Sequence, residues 1–159
     1  MIKRGQAALE FLTTYGWAFL VILIMIGALA YFGILKPSKL LPDRCNFGPE
    51  VNCLDFQISA TANKIKIRLK NNAGDAVTIS AMTTTTEAAT ALACTAPIIA
   101  GVWAPGEIRD FTFTACNSAA VGFVTGEKAK VAFKVSYYTV KSGSNYGHDL
   151  NGEIFATAI

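Results

Sequence analysis

Glu10 is the residue of this chain best placed for specific chemistry, because it is an acid at the start of a long apolar segment. The residues that follow it, from Phe11 to Leu35, carry no charge. An ionised side chain inside a membrane segment costs about 2.5–3.5 kcal/mol at mid-helix and less near an end, which favours a functional role. Such a carboxylate can neutralise a nearby amino group. The alternative is a carboxylate that reaches the membrane interface without a specific partner.

A catalytic role has little support in the sequence. His148, the single histidine, precedes Asp149, and such a pair can act as a catalytic dyad. The pair follows a loop rich in Gly, Ser and Asn and has no Ser or Cys nucleophile motif nearby, so we interpret it as a loop contact. The motifs of serine hydrolases, phosphate-binding loops, zinc proteases and dinucleotide-binding folds do not occur. The sequence therefore predicts a protein that is not an enzyme and that uses no cofactor.

The cysteines indicate disulfides. All of them follow the apolar segment: Cys45, Cys53, Cys94 and Cys116. Four cysteines allow three pairings, and we favour Cys45 with Cys53 and Cys94 with Cys116 because each pair closes a local loop. No Cys-x-x-Cys spacing occurs, and a zinc site would need nearly every soft ligand of the chain, so we predict no metal site. Disulfides favour an oxidising exterior for this part of the chain.

The apolar segment is long enough to cross a bilayer. Its roughly 25 residues extend about 38 Å as an α-helix, against a hydrocarbon core of about 30 Å. A secretory signal has a shorter apolar region of about 7–15 residues followed by a small-residue cleavage site. The run from Phe19 to Ile26 is apolar throughout, so lipid or other helices must surround it. We expect the helix to stop at Pro37, which disfavours helical geometry at Lys36.

The residues around Glu10 form a recognisable N-terminal pattern. Lys3-Arg4-Gly5-Gln6 precedes Glu10, and the apolar segment opens with Phe11-Leu12-Thr13-Thr14-Tyr15-Gly16-Trp17-Ala18. This pattern resembles the precursors of archaeal type IV pilins, which carry a class III signal peptide. Ala8 departs from the family, which often has Ser there. Archaellins, the related motility-filament subunits, usually lack an acid at the place of Glu10, so the resemblance favours the adhesive pili.

The resemblance implies a processing step and a set of partners. A prepilin peptidase would cut between Gly5 and Gln6 on the cytoplasmic side, and the helix would remain in the mature chain. Glu10 would then lie about one helical turn from the new α-amino group, on its own chain or on a neighbour's. The expected partners are the membrane before assembly, the prepilin peptidase and pilus assembly machinery, and identical subunits in a homopolymer. The expected location is the cell membrane for the precursor and then an extracellular pilus.

Charge adds little to this assignment. Lys3 and Arg4 precede the helix while Lys36, Lys39 and Arg44 follow it, so the positive-inside count is nearly balanced. We take the leader as cytoplasmic because peptidase processing requires it. The net charge of +3 is mild and the basic residues are scattered, so we predict no nucleic-acid partner.

Beyond the helix, the hydrophobic period changes to two. Lys64 to Lys70 alternates polar and apolar residues, with Ile65, Ile67 and Leu69 inward, as in a half-buried antiparallel strand. A turn signal, Asn71-Asn72-Ala73-Gly74, follows, and we expect Ala76 to Ala81 to return as its hairpin partner. Further strands are predicted at Leu54 to Ala60, Glu107 to Thr114, Lys128 to Val140 and Glu153 to Ala158.

Short alternating strands with frequent turn residues indicate a β-sandwich or a small barrel. We predict an α+β chain: a long N-terminal hydrophobic helix followed by an antiparallel β-sandwich head, Ig-like or similar. We divide the chain into a cleaved leader (1–5), the hydrophobic helix (6–36), a linker and start of the head (37–53) and a β-rich head domain (54–159).

Two surface features of the head are left open. The basic residues of one strand share a face, which can attract acidic partners or simply keep the strand soluble and protect a sheet edge: Lys64, Lys66, Arg68 and Lys70. The stretch from Met82 to Ala93 suits either a loop or a short helix. Its Thr83–Thr86 run can accept O-linked sugar, whereas no sequon for N-linked sugar occurs.

The sequence thus predicts a structural subunit of a type IV pilus whose β domain supports surface adhesion. Two alternatives remain. One is a single-pass, membrane-anchored extracellular binding protein, and the other is a minor pseudopilin of a secretion or uptake system.

Overall fold

The computed structural model of the protein describes residues 3–32, 41–86 and 91–159, with side chains from residue 9 onward except at residue 12. The chain forms two compact units, residues 1–41 and 42–159. The predicted boundaries at Lys36 and Pro37 lie outside the described residues. The coarse expectation is confirmed, since one N-terminal apolar helix precedes a set of antiparallel sheets.

Helix α1 spans Lys3–Tyr31. The amide of Phe32 still donates to the carbonyl of Ala28 at 2.9 Å, so the helical bonding pattern continues to that residue. Alanine and leucine are frequent in its sequence and favour a helix, and an apolar environment requires every backbone amide to be bonded within the segment. We predicted that the helix starts at Gln6, and it starts earlier, at Lys3.

The described residues of the second unit form seven strands in two antiparallel sheets. The four-stranded sheet has the order β1-β7-β6-β4, and the three-stranded sheet has the order β2-β3-β5. The strands are β1 (Arg44–Asn46), β2 (Val51–Ser59), β3 (Lys64–Asn71), β4 (Val77–Thr85), β5 (Ile108–Phe113), β6 (Lys128–Thr139) and β7 (His148–Thr157).

Alternating side chains from both sheets share one hydrophobic core. Ile65, Ile67 and Leu69 of β3 are buried, as predicted, while the residues between them face outward. The ring of Phe113 on β5 lies 5.4 Å from that of Phe133 on β6, so the two sheets contact each other through their aromatic side chains. The alternation of apolar and polar residues along each strand therefore identifies the side chains that face the core.

The predicted hairpin between β3 and the following strand is wrong. Both edges of β3 are occupied by β2 and β5, and β4 pairs with β6 in the other sheet. The Asn71–Gly74 turn carries the chain from one sheet to the other, and Val77 then forms an isolated bridge with Trp103. A turn signal gives the position of a reversal but not the sheet to which the next strand belongs.

Strand boundaries differ from prediction where the alternation is broken. Strands β1 and β2 begin within residues 37–53, which we predicted as the linker and start of the head. A register shift between Cys53 and Asp55 interrupts the pattern that marks β2. Strand β7 begins at His148, five residues before the predicted Glu153, because its first residues are mostly polar and exposed. Within Met82 to Ala93, strand β4 continues to Thr85, and residues 87–90 lie outside the description.

Two disulfides join the strands and loops of the head. Cys45 of β1 bonds to Cys53 of β2, which links the two sheets, and Cys94 bonds to Cys116. This is the local pairing that the sequence favoured. Each crosslink reduces the conformational freedom of the unfolded chain and so favours the folded head.

Gly152 lies against the buried ring of Phe47, where there is no room for a side chain. It lies opposite Phe133 in the β6–β7 ladder, and a Cβ at this position would lie 2.3 Å from Cδ1 of Phe47. Gly152→Ala should destabilise the head by about 1–3 kcal/mol, because the buried ring of Phe47 must move. Chemical denaturation of the full chain in detergent measures this loss. The matched control is Gly147→Ala, where nothing lies within 4 Å of the added carbon, and equal losses in the two variants would contradict the packing argument.

Candidate assembly segment and head surface

The apolar part of α1 has no partner within its own chain. The segment Leu9–Tyr31 has a mean hydropathy of 2.0 and is long and apolar enough to cross a membrane, and none of it is buried against other described residues. Large side chains are exposed on every side of the helix, for example Trp17 at 67%, Phe19 at 63% and Met25 at 61%. Such a surface needs lipid or other helices around it.

Glu10 lies near the start of this segment, and the polar groups around it are bonded locally. The hydroxyl of Thr14 donates to the carbonyl of Glu10 at 2.8 Å, and the hydroxyl of Thr13 donates to the carbonyl of Leu9 at 3.0 Å. Threonine hydroxyls bonded in this way can enter an apolar environment at low cost. Within the described part of the chain, no hydrogen bond or ion pair engages the Glu10 carboxylate, so its charge is available to a group from outside the chain.

The two processing residues predicted from the resemblance, Gly5 and Gln6, lie in the first turns of α1. Their side chains are not among those described. The backbone places Gln6 one helical turn before Glu10, which is the spacing that the proposed pairing of charges requires.

The disulfides and α1 bear on where the chain resides. Disulfides persist in oxidising compartments, and both of them lie in the unit that follows the helix. An N-terminal apolar helix can serve as a membrane anchor or as a signal. Together they favour an extracellular location for the head.

No family model matches the chain, and no curated protein matches it.

We interpreted His148 and Asp149 as a loop contact, and this interpretation is wrong. Both are the first residues of β7. The Asp149 carboxylate accepts hydrogen bonds from the Ser136 hydroxyl at 2.6 Å and pairs with the Lys134 ammonium at 2.9 Å. These two contacts lower the pKa of Asp149, so its charge is used in joining β6 to β7. The His148 ring lies 5.7 Å from that of Tyr137.

Among the residues described, no group of three or more His, Cys, Asp or Glu side chains is placed to hold a metal ion.

The outer face of the three-stranded sheet carries three rows of mostly polar side chains, one row from each strand. The term outer face refers below to these residues. They are Asn52, Asp55, Gln57 and Ser59 of β2, Lys64, Lys66, Arg68 and Lys70 of β3, and Ile108, Asp110 and Thr112 of β5. The row of β3 lies in the middle, so its cations are flanked on both sides. The idea that these lysines protect a sheet edge is therefore wrong, because β3 is the central strand.

The centre of this face is a fixed ion pair. Arg68 donates two hydrogen bonds to the Asp110 carboxylate, from Nε at 2.6 Å and from Nη2 at 2.8 Å. Asp55 lies on the opposite side of Arg68 in the register of β2 and β3. The hydrogen bonds from Arg68 hold the pKa of Asp110 below its usual value, and the same pair raises the pKa of Arg68. A bidentate pair of this kind holds both groups in one orientation.

The sequence did not reveal the neighbours of the β3 cations. Asp110 is separated from Arg68 by 42 residues, and only the register of β3 with β5 brings them together. Both residues lie within predicted strands, Arg68 in Lys64 to Lys70 and Asp110 in Glu107 to Thr114. The missing information was which strands lie beside β3.

Proposed function

We propose that the chain is a structural subunit of an extracellular filament of the archaeal type IV pilus kind. In this proposal α1 is held in the bilayer before assembly and then packs with copies of itself in the filament core. The observation that carries the proposal is the combination of an all-round exposed apolar surface on α1 with one carboxylate, Glu10, near its start. A helix moved from lipid to a helical core keeps its apolar surroundings, so the transfer costs little hydrophobic free energy.

The proposed role of the second unit is the outer sheath of this filament. We propose that its two sheets pack face to face as a β-sandwich of the Ig-like kind. The shared core and the contact between Phe113 and Phe133 support this arrangement. Such a head would be presented outside the cell, where the two disulfides are stable and where an adhesive surface can reach its target.

Maturation is proposed to proceed by cleavage between Gly5 and Gln6. The new α-amino group then becomes the partner of Glu10 on a neighbouring subunit. An uncompensated charge in a packed helical core is costly, so this pair would select the axial register in which subunits stack.

Mass spectrometry of the mature N-terminus tests the proposal. Chains recovered from sheared surface fibres are expected to begin at Gln6, having lost Met1 to Gly5. Gly5→Val should retain the leader, because a β-branched side chain replaces the hydrogen next to the cut bond. Gly27→Val is the matched control, since a Cβ there meets nothing within 4 Å in the chain, and it should be processed normally.

The alternatives give different results in the same measurement. A chain recovered solely from membranes, as single molecules with the leader intact, would overturn the filament proposal and would favour the membrane-anchored binding protein. A processed chain that is rare in fibres built mainly from another subunit would favour the minor pseudopilin.

A further inference from the structure

We propose that the outer face of the three-stranded sheet binds acidic polysaccharides, polymers that carry both carboxylates and hydroxyl groups. This inference rests on the proposed function only in that the head must be presented outside the cell. The binding itself depends on the head surface and not on α1.

The lysines of this face form no ion pair with any described residue, although the charge of Lys66 adds to that of Arg68 in lowering the pKa of Asp110. Among the described residues, no carboxylate lies within 4 Å of the ammonium groups of Lys64, Lys66 and Lys70. Lysines elsewhere in the head are paired: Lys128 with Asp43, Lys134 with Asp149 and Lys141 with Asp75. The unpaired cations therefore concentrate on one strand.

Edge protection does not account for this row, because β3 is hydrogen-bonded on both sides and has no free edge to shield. Alternate residues of a strand are about 6.6–6.8 Å apart, so the row presents regularly spaced positive charges along an extended line. An extended polymer with repeated negative charges is complementary to that line.

Hydrogen-bond acceptors and donors flank the cations on both sides. Gln57 and Thr112 lie beside Lys66, and Asp55 and Asp110 lie beside Arg68. These side chains line an open groove of about 360 Å³. The ion pair with Asp110 leaves Arg68 little free charge and fixes the carboxylate, so the middle of the groove offers oxygen acceptors between lysines.

This mixture selects among polyanions. Carboxylates in the groove repel the anionic groups of any polyanion, but they accept hydrogen bonds from hydroxyl groups, which a DNA backbone lacks. None of the three rows contributes an aromatic ring for stacking bases, and Phe56, which also lines the groove, is half-buried. The large exposed apolar side chains of β2 and β5, Leu54 and Ile108, are too few for the apolar centre of a protein interface. A uronic-acid polymer satisfies both the cations and the acceptors.

The test measures binding of polygalacturonate to the full chain in neutral detergent. We expect the Lys64→Gln/Lys66→Gln/Lys70→Gln variant to bind at least about tenfold more weakly, since three cations without an ion-pair partner are lost. The matched control is Lys130→Gln/Lys134→Gln/Lys141→Gln, which removes the same charge from outside this face and should change affinity by about twofold or less. Equal losses in the two variants, or no binding by the wild type, would overturn the proposal.

A second comparison tests recognition of the hydroxyl groups. Polyglutamate has carboxylates without hydroxyls, so the wild type should bind it more weakly than polygalacturonate of similar charge. Gln57→Ala/Thr112→Ala, which leaves the charge unchanged, should weaken polygalacturonate binding by about threefold and leave polyglutamate binding unchanged. Equal wild-type affinities for the two polymers, or tighter binding of duplex DNA through the same lysines, would overturn it.

The outcome is separable from that of the filament proposal. The lysine variants keep α1 and Glu10 and should form fibres in normal yield. Polygalacturonate binding by a chain that never enters fibres would contradict the filament alone. Normal fibres whose chains do not bind the polymer would contradict the polysaccharide site alone.

Discussion

Glu10→Gln is expected to leave the chain inserted in the membrane and to reduce the yield of surface fibres by about tenfold or more, because a subunit's α-amino group then enters the core without a carboxylate. Gln has nearly the size of Glu and keeps the helix apolar enough to insert, so the substitution removes the charge and little else. The leader should still be removed normally. The measurement is the ratio of chain in sheared fibres to chain in membranes, on the wild type and the variant.

The control for this experiment lies one turn further along the helix. Thr14→Val removes a hydroxyl that is already bonded to the carbonyl of Glu10, and it should leave fibre yield close to normal. Normal fibres from the Glu10→Gln variant would show that the carboxylate is not needed for assembly. The interfacial interpretation of Glu10 would then be the better one.

The strands of this fold were largely readable from sequence because their signal is local. Each strand buries alternate side chains, and this periodicity is visible in any window of six or more residues, as at Ile65, Ile67 and Leu69. Sheet membership was not readable. Strand β4 follows β3 after a short turn but pairs with β6, some fifty residues later in the chain. Such pairing is decided by which apolar faces fit together across the core, and a turn motif contains no information on it.

The candidate sites also differ in how much of each could be predicted from the sequence. Glu10 was found because an acid in an apolar segment is unusual in any fold. The row of β3 cations was also visible, but its meaning depended on whether β3 was an edge strand or a central one. The flanking groups that give the face its selectivity, Asp110 above all, come from strands whose position the sequence does not specify.

Asn71 is the residue that fixes the crossing between the two sheets, and sequence analysis had interpreted it only as part of a turn. Its side chain is 1% exposed. The amide nitrogen donates to the carbonyls of Asp75 at 2.9 Å and Trp103 at 3.0 Å, and the amide oxygen accepts from the Ala73 amide at 3.0 Å. Only a side chain with both a donor group and an acceptor oxygen can satisfy all three partners.

Asn71→Asp is therefore expected to destabilise the head by about 3 kcal/mol or more, because it places a buried negative charge against two carbonyl oxygens. The Asn and Asp side chains have nearly the same shape, so the loss of stability is due to charge and hydrogen bonding and not to packing. Denaturant unfolding of the full chain in detergent gives the change in the free energy of unfolding.

The neighbouring Asn72 is exposed and its side chain donates one hydrogen bond to the carbonyl of Pro49, so Asn72→Asp should cost about 1 kcal/mol or less. The loss at Asn71 should shrink as the solution is acidified, because a protonated carboxyl can donate to one of the carbonyls. Equal losses at both positions would show that the crossing is held by its backbone bonds instead.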